Sequence, residues 1–361
     1  MRTTVLRRAL AVAVLGVIVA AAGAQTIERT VRAGGRERSY DVDLPALAAS
    51  GRAFPVVLVF HGGGGNAASV RTQTRMSIKG ASEGFVAVYP QGSGGVAGKL
   101  RTWNAGTCCG WAMQHRVDEM AFVAAVLDDL GTVVAIDRAR VYATGISNGG
   151  MMAYRVACAF ADRIAAIAVV AGEMTAGDEC RPARPVSVLV IHGSADRNLP
   201  LDGGPGARAL AVHEVKSVAS AIEFWRGNDR CSEPPARERN GALTRTRYGE
   251  CGGGSEVELI VIEGGGHSWP GGDRLARFLD PPSNALDATD EIWRFFAPLA
   301  THGECRFARR WREIGRLNSV AARARRTVRR RCFPSEPSRG CGRARRSRRI
   351  APATGPGWAR G

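Results

Sequence analysis

No Cys-x-x-Cys pair and no His-x-x-x-His pair occurs among the nine cysteines and six histidines. That weighs against a zinc-type site, so no metal is expected. No Gly-x-x-x-x-Gly-Lys-Ser/Thr run occurs, and no Gly-x-Gly-x-x-Gly opens a helix. The glycine runs Gly62-Gly63-Gly64-Gly65 and Gly264-Gly265-Gly266 therefore do not read as phosphate cradles. No internal repeat is visible, and no run after residue 24 is long and apolar enough to span a bilayer.

The amino terminus is apolar but short. Arg2, Arg7 and Arg8 precede the apolar stretch Ala9 to Ala22, and Ala22-Gly23-Ala24 fits a small-residue cleavage site. Residues 1–24 are expected to be an export signal, which places the protein in the extracellular space or the periplasm. Export gives the cysteines a use. Cys108, Cys109, Cys158, Cys180, Cys231 and Cys251 form an even set, as disulfides require. Cys231 and Cys251 flank a polar segment that they could staple, but spacing does not choose among the other pairings.

The formal charge of +17 is unevenly spread. Residues 301–361 hold eighteen Arg against Glu304, Glu313 and Glu336, hence +15, and residues 1–300 carry about +2. That segment has no Lys, no sustained apolar period, and three further cysteines at 305, 332 and 341. It reads as a disordered tail, either a polybasic anchor for anionic polymer or nucleic acid, or a stretch without selected function. The latter is favoured on composition. No nucleic acid is expected to bind residues 25–300, the expected catalytic domain.

Six short β-branched runs, 55–62, 84–90, 140–145, 165–172, 186–193 and 256–264, read as buried parallel strands. The stretch "RSYDVDLP" alternates like an edge strand. Helices are expected over 117–130, 148–162, 211–227 and 286–299, and a loop-like excursion over 229–255. Strands alternating with helices give an α/β class with a mostly parallel sheet. His61, Ser147, Asp196 and His267 each follow a strand-like run, so they collect at the carboxyl edge where such sheets bind ligands.

Ser147 sits in Gly145-Ile146-Ser147-Asn148-Gly149, after a β run and before a helical one. That context fits a nucleophile on a tight strand-to-helix turn, with a helix-capping serine as the rival reading. A serine hydroxyl needs a base and a group to orient that base. The expected chain order is Ser, acid, His. His267, in "IEGGGHSWPGG", is the expected base, ahead of His192; His115, His213 and His302 have no supporting context. Asp196, in "VIHGSAD", is the expected acid, ahead of Asp202 and Asp178. The oxyanion needs N–H donors. The backbone of Asn148 should supply one, and Gly62 or Gly63, after the first central strand, the other. This chemistry uses no cofactor.

Seven blocks, "FHGGGGNA", "YPQGSGG", "TWNAGTCCGWA", "VDEMAFVAAVLDDL", "VYATGISNGGMMAYRVAC", "VLVIHGSADRNLP" and "VIEGGGHSWPGG", resemble in order the secreted esterases that include polyhydroxybutyrate depolymerase-like proteins and feruloyl esterases of the acetyl xylan esterase type. The resemblance spans about residues 26–299. It implies an α/β-hydrolase fold, helices on both faces of the sheet, and Ser147, Asp196 and His267 as a triad acting on an ester. Trp103, Trp111 and Trp269 lie in these blocks, and Trp103 and Trp269 are expected to line the substrate pocket. Related feruloyl esterases act on plant cell-wall polysaccharide and related depolymerases on a bacterial polyester. The Arg-rich tail stands where the depolymerases typically carry a binding module, so a polysaccharide-linked ester is expected. The alternatives are a polyhydroxybutyrate depolymerase, and a catalytically silent relative that binds a ligand.

Overall fold

The structure, a computed structural model, describes residues 25–300 apart from residue 47 and residues 96–98, 176–178 and 209–214. The expected export signal and the Arg-rich tail lie outside the described residues.

The strands are β1 Gln25–Ala33, β2 Arg36–Leu44, β3 Phe54–Phe60, β4 Val86–Pro90, β5 Ser93–Gly94, β6 Arg101–Thr102, β7 Ile136–Ile146, β8 Ala166–Val170, β9 Ser187–Gly193, β10 Ala236–Asn240, β11 Leu243–Tyr248 and β12 Val257–Ile262. The helices are α1 Ala67–Thr74, α2 Met76–Glu83, α3 Gly110–Gln114, α4 Glu119–Val133, α5 Asn148–Ala159, α6 Val218–Asn228 and α7 Ala288–Phe296. Ten strands form one sheet in the order β1-β2-β4-β3-β7-β8-β9-β12-β11-β10, and β5 pairs with β6 apart from it. The central six, β4 to β12, are parallel, and both margins are antiparallel.

Those six parallel strands are the six β-branched runs of the sequence. They lack polar alternation because both faces are covered. Val56, Leu58 and Phe60 of β3 pack toward α4, α5 and α6, whereas Val57 and Val59 pack toward α1, α2 and α7. Each such side chain contributes about 1.5–3 kcal/mol by burial. From β3 the chain runs first to β4 on one side and later to β7 on the other. The strand order therefore reverses between β3 and β7, and the loops after these strands open a crevice there.

Three expectations need correction. The strand read over "RSYDVDLP" is not at the edge, because β2 lies between β1 and β4 and pairs with both. Residues 229–255 are not a loop excursion, because β10 and β11 form a hairpin that extends the sheet beyond β12. Its two-residue turn, Gly241-Ala242, has Gly241 at φ +57°, a position that a primed turn gives to glycine. The helix expected over 211–227 begins only at Val218, because Ser217 caps it by accepting the Ser220 N–H at 3.1 Å. Before it Val215 bridges to Gly204, and residues 211–214 lie outside the described residues.

The six body cysteines pair as Cys108–Cys109, Cys158–Cys180 and Cys231–Cys251, the last being the staple foreseen. Next to that staple, at the end of α6, Asp229 is fully buried and its Oδ2 has no hydrogen-bond partner. Burial raises its carboxyl to about 6. The folded state then holds this proton above the unfolded value, so Asp229 costs stability as pH rises from about 4 through 6. Asp229→Asn is expected to raise stability by up to about 3 kcal/mol at pH 8 and to change it little at pH 4. Thermal unfolding at the two pH values checks this; an equal effect at both would contradict it.

Candidate active site

Ser147 lies between β7 and α5 with φ +57° and ψ −125°, a backbone conformation that non-glycine residues rarely adopt. Its neighbours explain how the turn closes. A Cβ on Gly145 would lie 2.5 Å from the carbonyl carbon of Gly149. A Cβ on Gly149 would overlap the carbonyl oxygen of Phe60 and lie 2.6 Å from that of His61. Glycine at both positions lets α5 press against the ends of β7 and β3. The Ser147 side chain makes no capping hydrogen bond to α5, which removes the helix-cap reading. The Ser147 N–H donates to Val170 O at 3.0 Å, and its carbonyl accepts from Met151 N at 3.0 Å, fixing the turn at both ends.

The glycine loop after β3 lies beside this turn; a Cβ on Gly62 would stand 3.6 Å from that of Ser147. Gly64 gives its N–H to Arg101 O at 2.8 Å, and Gly65 gives its own to Gly62 O at 3.0 Å. His61 supplies the rest of the loop's order. Its Nε2 accepts the Gly92 N–H at 3.0 Å, so the proton is on Nδ1, which donates to Gly62 O at 2.8 Å. Burial lowers this ring to about 4, which keeps it neutral and in that tautomer. With the Gly62 carbonyl held by His61 and Gly65, the planar peptide aims the Gly63 N–H the opposite way, away from His61.

Asn148 contributes more than a backbone N–H. Its buried side chain clasps the backbone of Trp103, accepting its N–H at 2.7 Å and donating to its carbonyl at 3.1 Å. Trp103 in turn donates from Nε1 to His61 O at 2.9 Å. The first turn of α5, the loop after β6 and the glycine loop are thereby one hydrogen-bonded unit. As the first residue of α5, Asn148 has a backbone N–H that no intrahelical carbonyl can satisfy.

Asp196, after β9, is buried. Its Oδ1 accepts the N–H groups of Asn198 and Leu199 at 2.8 and 2.9 Å. Its Oδ2 accepts from His267 Nδ1 at 2.7 Å, across 71 residues. Burial pushes this carboxyl up, but the hydrogen bond and charge of His267 outweigh it and hold Asp196 below the usual carboxylate range. His267 follows β12, and its side chain is 13% exposed, so the ring keeps an open side. With Nδ1–H committed to Asp196, Nε2 carries the lone pair.

The rivals fare differently. His192 stands 3.6 Å from Asp196 Oδ2, but its Nε2–H is committed to Leu199 O at 2.8 Å. Burial lowers that ring and keeps it neutral. Asp202 is exposed, His115 is exposed and stacked on Trp111 at 3.9 Å, and Asp178, His213 and His302 lie outside the described residues. The pocket-wall expectation for two tryptophans needs correction. Trp103 is 0% and Trp269 1% exposed, so neither offers surface to a substrate. Trp269 instead donates from Nε1 to Thr289 at 3.0 Å and anchors α7. Trp111 is half-buried and retains some surface.

Asp280 had no sequence signal. Its Oδ2 accepts the backbone N–H of His267 at 2.8 Å, and its Oδ1 pairs with Arg208 at 2.8 Å. A Cβ on Gly266 would stand 2.6 Å from Asp280 Oδ2, so the glycine before His267 makes room for this support. Among the described residues no His, Cys, Asp and Glu cluster is arranged to hold a metal.

A family model described as esterase PHB depolymerase matches residues 38–221. The esterase NocK of Nocardia uniformis subsp. tsuyamanensis is 32% identical over 267 residues, which cover 70% of this chain and 76% of NocK. Feruloyl esterase B of Piromyces equi is 27% identical over 237 residues, which cover 64% of this chain and only 42% of that longer relative. The solved acetyl xylan esterase from Aspergillus awamori shares the fold, with a TM-score of 0.52 at 15% identity over 75% of this chain and 99% of that one. The sheet order, the helices on both faces and this likeness identify the α/β-hydrolase fold. The chain belongs to the esterase PHB depolymerase family and is a carboxylic ester hydrolase.

Proposed function

We propose that the protein is exported and hydrolyses esters carried by plant cell-wall polysaccharide, feruloyl esters first among them, by Ser-His-Asp acyl transfer within residues 25–300. The observation that carries the mechanism is the 2.7 Å contact of His267 Nδ1 with buried Asp196, on the sheet edge where Ser147 occupies its strained turn. Ser147 Oγ attacks the ester carbonyl while His267 Nε2 takes its proton. Backbone N–H groups of Asn148 and of Gly63 or Gly62 receive the developing oxyanion. His267 then gives the proton to the leaving alkoxide oxygen, and an acyl-Ser147 ester remains. Water, deprotonated by His267, attacks that ester, and Ser147 recovers its proton as the acid departs. Asp196 orients the imidazole and stabilises its charged form throughout.

The substrate class is supported by relatives named feruloyl esterase and bifunctional acetylxylan esterase/xylanase. Polyester is the second reading, favoured by the family description itself. The test offers methyl ferulate and polyhydroxybutyrate granules side by side to the exported protein. Release of ferulate without clearing of granules is the expected result, and clearing without ferulate release would move the protein to the depolymerases. Because Asp280 supports the backbone of His267, Asp280→Ala is expected to lower kcat about ten- to a hundredfold while leaving KM nearly unchanged. A change in KM alone would contradict that positioning role.

A further inference from the structure

Beside the glycine loop, at the carboxyl end of β4, lies a groove of about 230 Å³. Arg36, Arg38, Arg101 and Trp111 line it, together with Gly92 and one acidic residue, Glu37. The groove adjoins the glycine loop through two hydrogen bonds: Gly64 N–H to Arg101 O at 2.8 Å and Gly92 N–H to His61 Nε2 at 3.0 Å.

Its charge is unbalanced. Arg38 is neutralised by buried Glu119 at 2.9 Å. Neither Arg36 nor Arg101 forms an ion pair with a carboxylate among the described residues. Arg36 holds its guanidinium 5.4 Å from the centre of the Trp111 ring, at the mouth of the groove. Arg101 is half-buried, and both its burial and the nearby charge of Arg38 disfavour its cation. A half-buried guanidinium without a counter-ion is an unmet electrostatic demand. Its planar fork fits a carboxylate with two parallel N–H···O bonds. The volume is below the ~300 Å³ of sites for drug-sized ligands, so the groove admits about one sugar ring.

We infer that this groove is a subsite for an acidic sugar, with Arg36 and Arg101 gripping the carboxylate of a hexuronate beside the indole of Trp111. The inference rests on the polysaccharide reading above. A polymer whose ester reaches Ser147 would extend over the adjoining loop and seat a neighbouring uronate here. The site would then favour esters on acidic stretches of the polymer over those on neutral ones.

The test reads the groove directly on the full chain carrying Ser147→Ala, so that it does not depend on hydrolysis. The indole N–H resonance of Trp111, assigned by its loss in Trp111→Phe, is followed during titration with the methyl glycoside of glucuronic acid and with that of glucose. The expected result is a saturable shift with the glucuronoside, with the glucoside at least tenfold weaker, and at least a tenfold loss of glucuronoside affinity in Arg36→Gln. Residues 301–361 are present in every sample, and affinity is read only from the shift of the Trp111 resonance. Equal binding of the neutral sugar, or a shift that survives Arg36→Gln, would overturn the inference. So would equal competition by inorganic phosphate, which would mark a general anion site. If the uronate binds as expected but the wild-type chain cleaves no polysaccharide-linked ester, the functional reading fails and the subsite stands.

Discussion

Ser147→Ala is expected to lower kcat on a good ester substrate about 10⁵–10⁶-fold while leaving the fold intact. On the proposed mechanism this substitution removes the nucleophile and with it the covalent route, and the proposed oxyanion donors alone would retain only a small residual acceleration. The fold should survive because the Ser147 side chain does not cap α5. The turn is held instead by its backbone bonds to Val170 and Met151, which alanine keeps. Alanine meets the same positive φ that serine does, so the strain is unchanged. An unchanged melting temperature with activity lost is therefore the expected pair of results. A large fall in stability would mean that the serine holds the structure rather than performs the chemistry.

Gly149→Ala should damage both stability and activity. Its Cβ would overlap the Phe60 carbonyl oxygen and crowd that of His61, and both belong to the backbone of the central strand and its loop. Backbone cannot swing aside as a side chain can, so α5 must move away from β3. A cost of at least about 3 kcal/mol is expected, at the upper end for overpacked sites. The displacement also moves the Asn148 N–H relative to the glycine loop, and misplacement by about 1 Å can cost a hundredfold in rate. Gly227→Ala is the control. It lies in α6 with nothing within 4 Å of a Cβ, so it should be neutral or stabilise by up to about 1 kcal/mol. Denaturant unfolding of the two variants separates these outcomes. Equal effects would show that the close approach at Gly149 does not matter.

What could be read in advance followed from burial. The six parallel strands announced themselves because strands covered on both faces are apolar throughout. The margins did not. Gln25–Ala33 and the Ala236–Tyr248 hairpin are partly exposed and rich in charge, so their period resembles that of a polar loop. Gly241, the first of the two turn residues, was the hairpin's one local signal, and the charge of the segment outweighed it. At the candidate site, the turn at Ser147 and the pairing of Asp196 with His267 could be anticipated because each residue follows a strand and carries a chemically distinctive group; their catalytic roles belong to the proposal. The supports could not be anticipated. The grip of His61 on Gly62, the clasp of Asn148 on Trp103 and the hold of Asp280 on the His267 backbone join residues distant in sequence. The tryptophans misled because a large aromatic ring suits a pocket wall and a core equally well. Only the packing of Trp103 between His61 and Asn148, and of Trp269 against α7, decides between them.

The most direct test of the account is to find where an acyl-like group attaches. The protein would be treated with an alkyl phosphonate fluoride, digested, and mapped by mass spectrometry. The account predicts one equivalent of phosphonyl on the peptide containing Ser147, in step with the loss of ester hydrolysis, and none in Ser147→Ala. Attachment at another residue, or full hydrolysis remaining after Ser147 is blocked, would contradict it.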